Sequence, residues 1–206
     1  MTWTPALIAA VGLLAYLPQD RNTPPAPTRI VRFVPPAPIT TGSTRPGTCQ
    51  YSLVSDRTDA FRCVAAETTY DPCFAAVSDP LLLEGKRAGR VLCNADPREA
   101  SSGIVVTAAP AASLALGPHG DNLRAWFFEL EDGSTCRPLI SGDGREVDGM
   151  LELYTCRFAP PGSDAVLGEI NTQTPIWTIQ QASLNKRMPP LSIKQLTSAV
   201  VKTAWQ

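Results

Sequence analysis

The chain predicts a mainly antiparallel β fold: a small sandwich or open barrel with one short helix, stapled by disulfides and preceded by an N-terminal hydrophobic helix. Three observations predict it. Apolar, aromatic-rich runs within 124–158 are separated by Asp132-Gly133, Asp143-Gly144 and Asp148-Gly149, and Asp-Gly supplies the positive φ that tight hairpin turns need. Six cysteines, an even number, stand at wide spacings. Twenty prolines accompany a charged fraction of only 18 %, which fits a rigid, loop-rich extracytoplasmic protein better than a cytosolic helical enzyme.

At 206 residues the chain has room for one domain of about 150 residues plus extensions. Eighteen basic and 19 acidic residues leave a net charge of -1 without a long block of either sign. No nucleic-acid partner is expected, because phosphate binding needs a concentrated basic face.

In chain order, residues 1–17 form a hydrophobic signal or anchor segment, uncharged from Thr4 to Leu17. Its length suits a signal-peptide core and falls short of the ~20 residues of a membrane span, while no Lys or Arg precedes it. Cleaved signal, retained membrane anchor and buried helix all remain open. Residues 18–47 carry eight prolines and read as an extended tether, since proline fixes φ and removes a donor. Within it Arg29–Val34 is a β-prone island. Ile30, Val31, Phe33 and Val34 either dock as an edge strand or reach a protein partner's sheet.

Residues 48–206 are read as one β domain, with a Cys-rich subregion at 48–97 and a meander at 98–206. Ser55, Asp56 and Asp59 resemble a helix start leading through Phe61 and Cys63. Leu81–Leu83 and Arg90–Cys93 look like short strands, with Lys86, Arg87 and Arg90 on a solvated turn between and beside them. Ile104–Thr107 is expected to open the main sheet. Ala165–Ile170 and 175–180 follow as strands, and Ser192–Trp205 closes the chain as a strand or a helix, its β-branched end favouring the strand.

The cysteines form no C-x-x-C pair, and a single histidine leaves zinc without its usual second ligand type. Of the 15 pairings that six cysteines allow, the sequential one is favoured: Cys49–Cys63, Cys73–Cys93 and Cys136–Cys156. The last two sit on expected neighbour strands, and the first four share one compact segment. Each closed loop is worth about 3 kcal/mol in the chain-entropy model.

The layout D-A-F-R-C, Y-D-P-C-F and V-L-C over 59–93, then F-E-L-E-D-G-S-T-C at 128–136, Y-T-C at 154–156, L-G-E at 167–169 and P-I-W-T at 175–178 resembles a domain of uncharacterised bacterial extracytoplasmic proteins. The resemblance covers most of 45–206. It implies an oxidising compartment and disulfides and carries no activity. Phe61 stands where such sequences are expected to hold tryptophan, an exchange a buried aromatic site tolerates.

No catalytic, cofactor or metal residues are assigned. His119, the sole histidine, sits in Gly-Pro-His-Gly and has no identifiable orienting partner. Nucleophile-elbow, zinc-protease and phosphate-loop motifs do not occur. Glu129, Glu131 and Asp132 crowd one hairpin and Asp143, Glu146 and Asp148 the next, yet Arg145 and Val147 occupy places where a calcium loop needs ligands. A carboxylate pair of glycosidase type is the other use of such residues. Of the aromatic residues, Trp126 and Phe128 with Leu130 are expected to form an inward stripe, and alternation then sends Phe127 outward as a candidate partner contact.

These readings converge on a non-enzymatic extracytoplasmic protein, periplasmic, cell-surface or secreted. It would be a binding module or an accessory subunit of a membrane or cell-surface assembly, with a protein partner and, where residues 4–17 are not cleaved, membrane contact through them. A secreted hydrolase or inhibitor using the hairpins at 129–132 and 143–148 is the competing class.

Overall fold

The computed structural model describes residues 24–36, 39, 43–75, 89–99, 102–109, 124–140, 144–158, 165–185 and 192–206. The hydrophobic segment 4–17, Leu81–Leu83, Lys86, Arg87, His119 and Asp143 lie outside them. Strands dominate, and no helix occurs among the described residues.

Five strands, β2 (Thr44–Tyr51), β3 (Ala60–Ala65), β4 (Thr68–Ala75), β5 (Gly89–Cys93) and β6 (Ile104–Ala109), form a closed barrel. Each consecutive pair is antiparallel, so the odd count brings β6 back parallel to β2, with Thr44 opposite Val105. Thus Ile104–Thr107 closes this first barrel and does not open the main sheet. Alternation divides its side chains. Phe61, Cys63, Cys73, Val91, Cys93 and Val106 turn inward, while Ala60, Phe74, Leu92 and Val105 turn outward into a different cluster. The expected helix after Ser55 is strand β3 instead. Its cap-like residues build a turn, in which the Ser52 hydroxyl accepts the Val54 and Ser55 amides at 3.1 and 2.9 Å. Beyond the turn, alternating burial of Phe61, Cys63 and Ala65 rewards a strand over a helix. Gly47 lies so close to its neighbour that an added Cβ would meet the Val64 carbonyl oxygen at 2.7 Å.

The second sheet joins β7 (Phe127–Leu130), β8 (Thr135–Pro138), β11 (Tyr154–Arg157), β12 (Ala165–Asn171), β13 (Thr178–Asn185) and β14 (Ser192–Trp205). Its pairs are antiparallel, and β14 also pairs β7, so this even-stranded sheet closes on itself. Phe128, Leu130, Leu167, Ile179, Val201 and Ala204 fill the interior. Between β8 and β11 stands a small hairpin, β9 (Glu146–Val147) and β10 (Met150–Leu151). Its central residues Asp148 and Gly149 both have positive φ, 49° and 81°, as a two-residue primed turn requires.

Within the proline-rich stretch, residues 28–33 are packed as a strap. Strand β1 (Arg29–Val31) lies parallel to the end of β14, Arg29 opposite Thr203, where β13 has already left it. Thr28 secures the join. Its hydroxyl donates to the Val201 carbonyl and accepts the Trp177 amide, both at 2.7 Å. Phe33 and Ile39 then enter an apolar seam with Phe74 and Leu92 of the first barrel and Trp126, Phe127 and Trp205 beside the second.

All three disulfides take the sequential pairing, each between residues directly opposed on antiparallel strands. One sulfur each of Cys63, Cys73 and Cys93 lies within 4.8 Å of the others, all buried. They are bonded sulfurs, with no free cysteine among the described residues.

Candidate functional site

The two barrels meet along the seam, and its polar rim is where chemistry collects. Arg57 is the inner clamp. Its side chain is 4 % exposed, paired with Asp59, and its guanidinium donates to the carbonyls of Phe33 at 2.6 Å and Gln206 at 2.9 Å. It also lies 4.6 Å above the Phe74 ring. One cation therefore ties the strap and the end of β14 to the first barrel. A buried guanidinium is tolerated because a carboxylate and two carbonyls replace its water.

Arg137, on β8, is the outer bridge. It donates to Asn94 Oδ1 at 2.5 Å and to the Ala95 carbonyl at 2.9 Å, both on the loop that leaves β5. It borders two cavities. The first, about 290 Å³, is lined mainly by apolar groups including Tyr70, Pro72, Trp126, Pro138 and Leu139, with Asp71 at its edge. Asp71 accepts the Ser52 hydroxyl and the Leu53 amide. Burial nonetheless outweighs those donors and raises its carboxyl above the ordinary value. The indole Nε1 of Trp126 is buried without a hydrogen-bond partner among the described residues.

Pro138 also lines a wider groove of about 900 Å³, walled by Leu53 and Val54 of the first barrel and by Tyr154 and Trp177 of the second, with Arg124 and Glu169 on its rim. Leu53 is 62 % exposed. Burial raises the Tyr154 hydroxyl above its ordinary value, keeping it a donor at neutral pH.

On the other side of Arg137 is a pocket of about 340 Å³ lined by Asp96, Arg98, Phe127, Thr135, Arg157 and Thr155, among others. Arg98 is gripped by Asp96 through two contacts, at 2.9 and 2.6 Å. The same pairing lowers the Asp96 carboxyl below its ordinary value. The guanidinia of Arg98 and Arg137 lie 5.4 and 5.2 Å from the centroid of the one Phe127 ring.

The residues expected as partner contacts divide. Ile30 and Val34 are exposed, at 44 % and 59 %, whereas Val31 is half-buried and Phe33 buried. Phe127, 2 % exposed, is not a surface contact: its outward face is covered by the loop bearing Arg98 and by Arg137. Trp126 precedes β7 and so escapes its alternation. It turns into the seam beside Phe127, while Phe128 and Leu130 alone make the inward stripe.

Three carboxylates of the acidic hairpins have structural duties. Glu129 pairs with Lys202 at 3.0 Å, Asp132 accepts the Ser134 amide at 2.8 Å and Asp148 accepts the Ile193 amide at 2.6 Å. The arginines of the seam carried no motif. A signal for them did exist: if Cys136 faces Cys156, then Arg137 faces Thr155 and Arg157 faces Thr135, on the side opposite the disulfide. Comparison of the chain with protein-family models, curated proteins and solved structures found no match.

Proposed function

We propose that this is a non-enzymatic extracytoplasmic protein that works by recognition, as a binding module or accessory subunit of a membrane or cell-surface assembly. The observation that carries the reading is the groove across the seam, where exposed Leu53 and the Tyr154 and Trp177 rings face a common space with opposite charges on the rim. Aromatic anchors within a polar border are the usual composition of a protein-recognition surface. The occupant we infer is an extended segment of an envelope protein, its apolar side chains against these rings and its backbone within reach of Tyr154.

Three disulfides support the compartment, because such bonds form and persist in oxidising spaces. In this reading residues 4–17 hold the protein at the membrane. Of the carboxylates that a hydrolase would use, Asp132 and Asp148 are engaged by backbone amides and Glu129 by Lys202.

The test is co-purification from native membranes of the parent and of Leu53→Asp, with residues 1–17 retained. A stoichiometric partner captured by the parent and lost with Leu53→Asp, at unchanged melting temperature, is the expected result. A partner retained by the variant, or a parent that elutes as a lone monomer in mild detergent, would refute the groove as its seat.

A further inference from the structure

We propose that Arg98, Arg137 and Arg157 form an oxyanion site, built for a phosphate-type group, on the outer face of the second barrel. The pocket is separate from the partner groove, and the inference does not rest on it. Three guanidinium groups line the cavity against one carboxylate, Asp96. That carboxylate is already spent on Arg98, in the two contacts given above. Glu129, on β7, is paired with Lys202, and its charge and that of Glu99 also act on Arg98. Arg137 has only neutral oxygens as hydrogen-bond partners among the described residues, the Asn94 amide and the Ala95 carbonyl. Arg157 has no carboxylate within ion-pair distance among them.

The result is positive potential in a recess, where low-dielectric walls strengthen attraction for an anion. Burial and the like charge of Arg98 both press the Arg137 guanidinium below its ordinary value, although Asp96 opposes them. An incoming anion would relieve that stress. The recess is also preorganised. Arg98 is held by Asp96, Arg137 by the loop after β5, and both lie against Phe127, so these two have little side-chain freedom left to lose on binding. Planar guanidinium forks match the oxygen spacing of phosphate better than ammonium groups do. The Thr135 and Thr155 side chains border the same space and add hydroxyl donors.

The group could arrive as a free anion or on a lipid headgroup, and two probes separate these sources. Inorganic phosphate is titrated into the full chain by calorimetry in a low-salt, phosphate-free buffer. In parallel, sedimentation is measured with phosphatidylglycerol vesicles and with phosphatidylcholine vesicles. The variants are Arg157→Gln, on an exposed side chain, and Arg90→Gln, which removes the same charge from the one exposed residue of β5, outside the pocket. Phosphate binding weakened about tenfold by Arg157→Gln, and unchanged by Arg90→Gln, supports the site with a free anion as its ligand. Selective sedimentation with phosphatidylglycerol that Arg157→Gln alone abolishes supports the site with a headgroup as its ligand. Equal weakening by both substitutions, binding untouched by Arg157→Gln, or no response to either probe would overturn it. Matched melting temperatures of the two variants exclude misfolding as the cause of any loss.

Discussion

The two barrels close by the same rule of strand counting and are held by different means. The first has an odd number of strands and must close through a parallel pair; the second has an even number and closes antiparallel. The interior of the first is small and contains four half-cystines beside Phe61, Val91 and Val106. The second has one disulfide and a core of Phe128, two leucines, Ile179 and Val201. A small barrel buries too little apolar surface to offset the ordering of its chain. Cross-links that constrain the unfolded state make up the difference. The larger barrel depends less on them, and its β14, paired on both edges, carries the strap as well.

The largest expected effect breaks that contrast directly. Replacing Cys49, Cys63, Cys73 and Cys93 together with alanine removes two loop closures worth about 3 kcal/mol each, a sum comparable with the whole stability of a typical domain. Urea titration should then show the first barrel unfolded in water, while Cys136→Ala with Cys156→Ala leaves a cooperative transition at lower urea.

Next in size is Phe74→Ala, which empties the seam where Phe33 and Trp126 pack on that ring at 5.1 and 5.0 Å. A loss of about 3–5 kcal/mol is expected. Because the seam joins both barrels, calorimetry should show both transitions move, whereas Leu167→Ala, inside the second barrel, shifts that one alone.

Arg57→Met should cost about 3 kcal/mol, since it strands Asp59 and two carbonyls. Its signature is faster exchange of the Phe33 amide, which donates to Gln206, with interior amides unaffected.

The smallest effect is on pH. The Asp71 carboxyl is raised in the folded state, so the fold binds its proton more tightly than the unfolded chain does. Its contribution is most favourable below the unfolded value and declines as pH rises from there through the folded one. Asp71→Asn should flatten that decline, as read from urea midpoints at stepped pH, and the Asp96 contribution should run oppositely, falling away in acid.

Local order was legible in the sequence. Asp148-Gly149 announces its hairpin, the spacing of Cys136 and Cys156 announces a neighbouring pair of strands, and the β-branched tail announces β14. What could not be read depends on long-range closure. Nothing near Thr44 says that it meets Val105, and nothing near Arg29 says that it meets Thr203. The cap-like Ser55 misled because a local helix signal is worth about 1 kcal/mol, less than burial of Phe61 and Cys63 on a strand. Phe127 misled for a related reason: its alternation was right, but the outward face of β7 is covered by a loop from the other barrel. The arginine pocket has the same origin, since it joins residues of that loop to β8 and β11.

Hydrogen exchange with mass spectrometry, comparing the parent chain with the form lacking the four cysteines of the first barrel, tests the unequal dependence on cross-links most directly. We predict that β3, β4 and β5 lose protection while β12, β13 and the first half of β14 keep it. Collapse of protection in both barrels together, or its survival in both, would contradict the account.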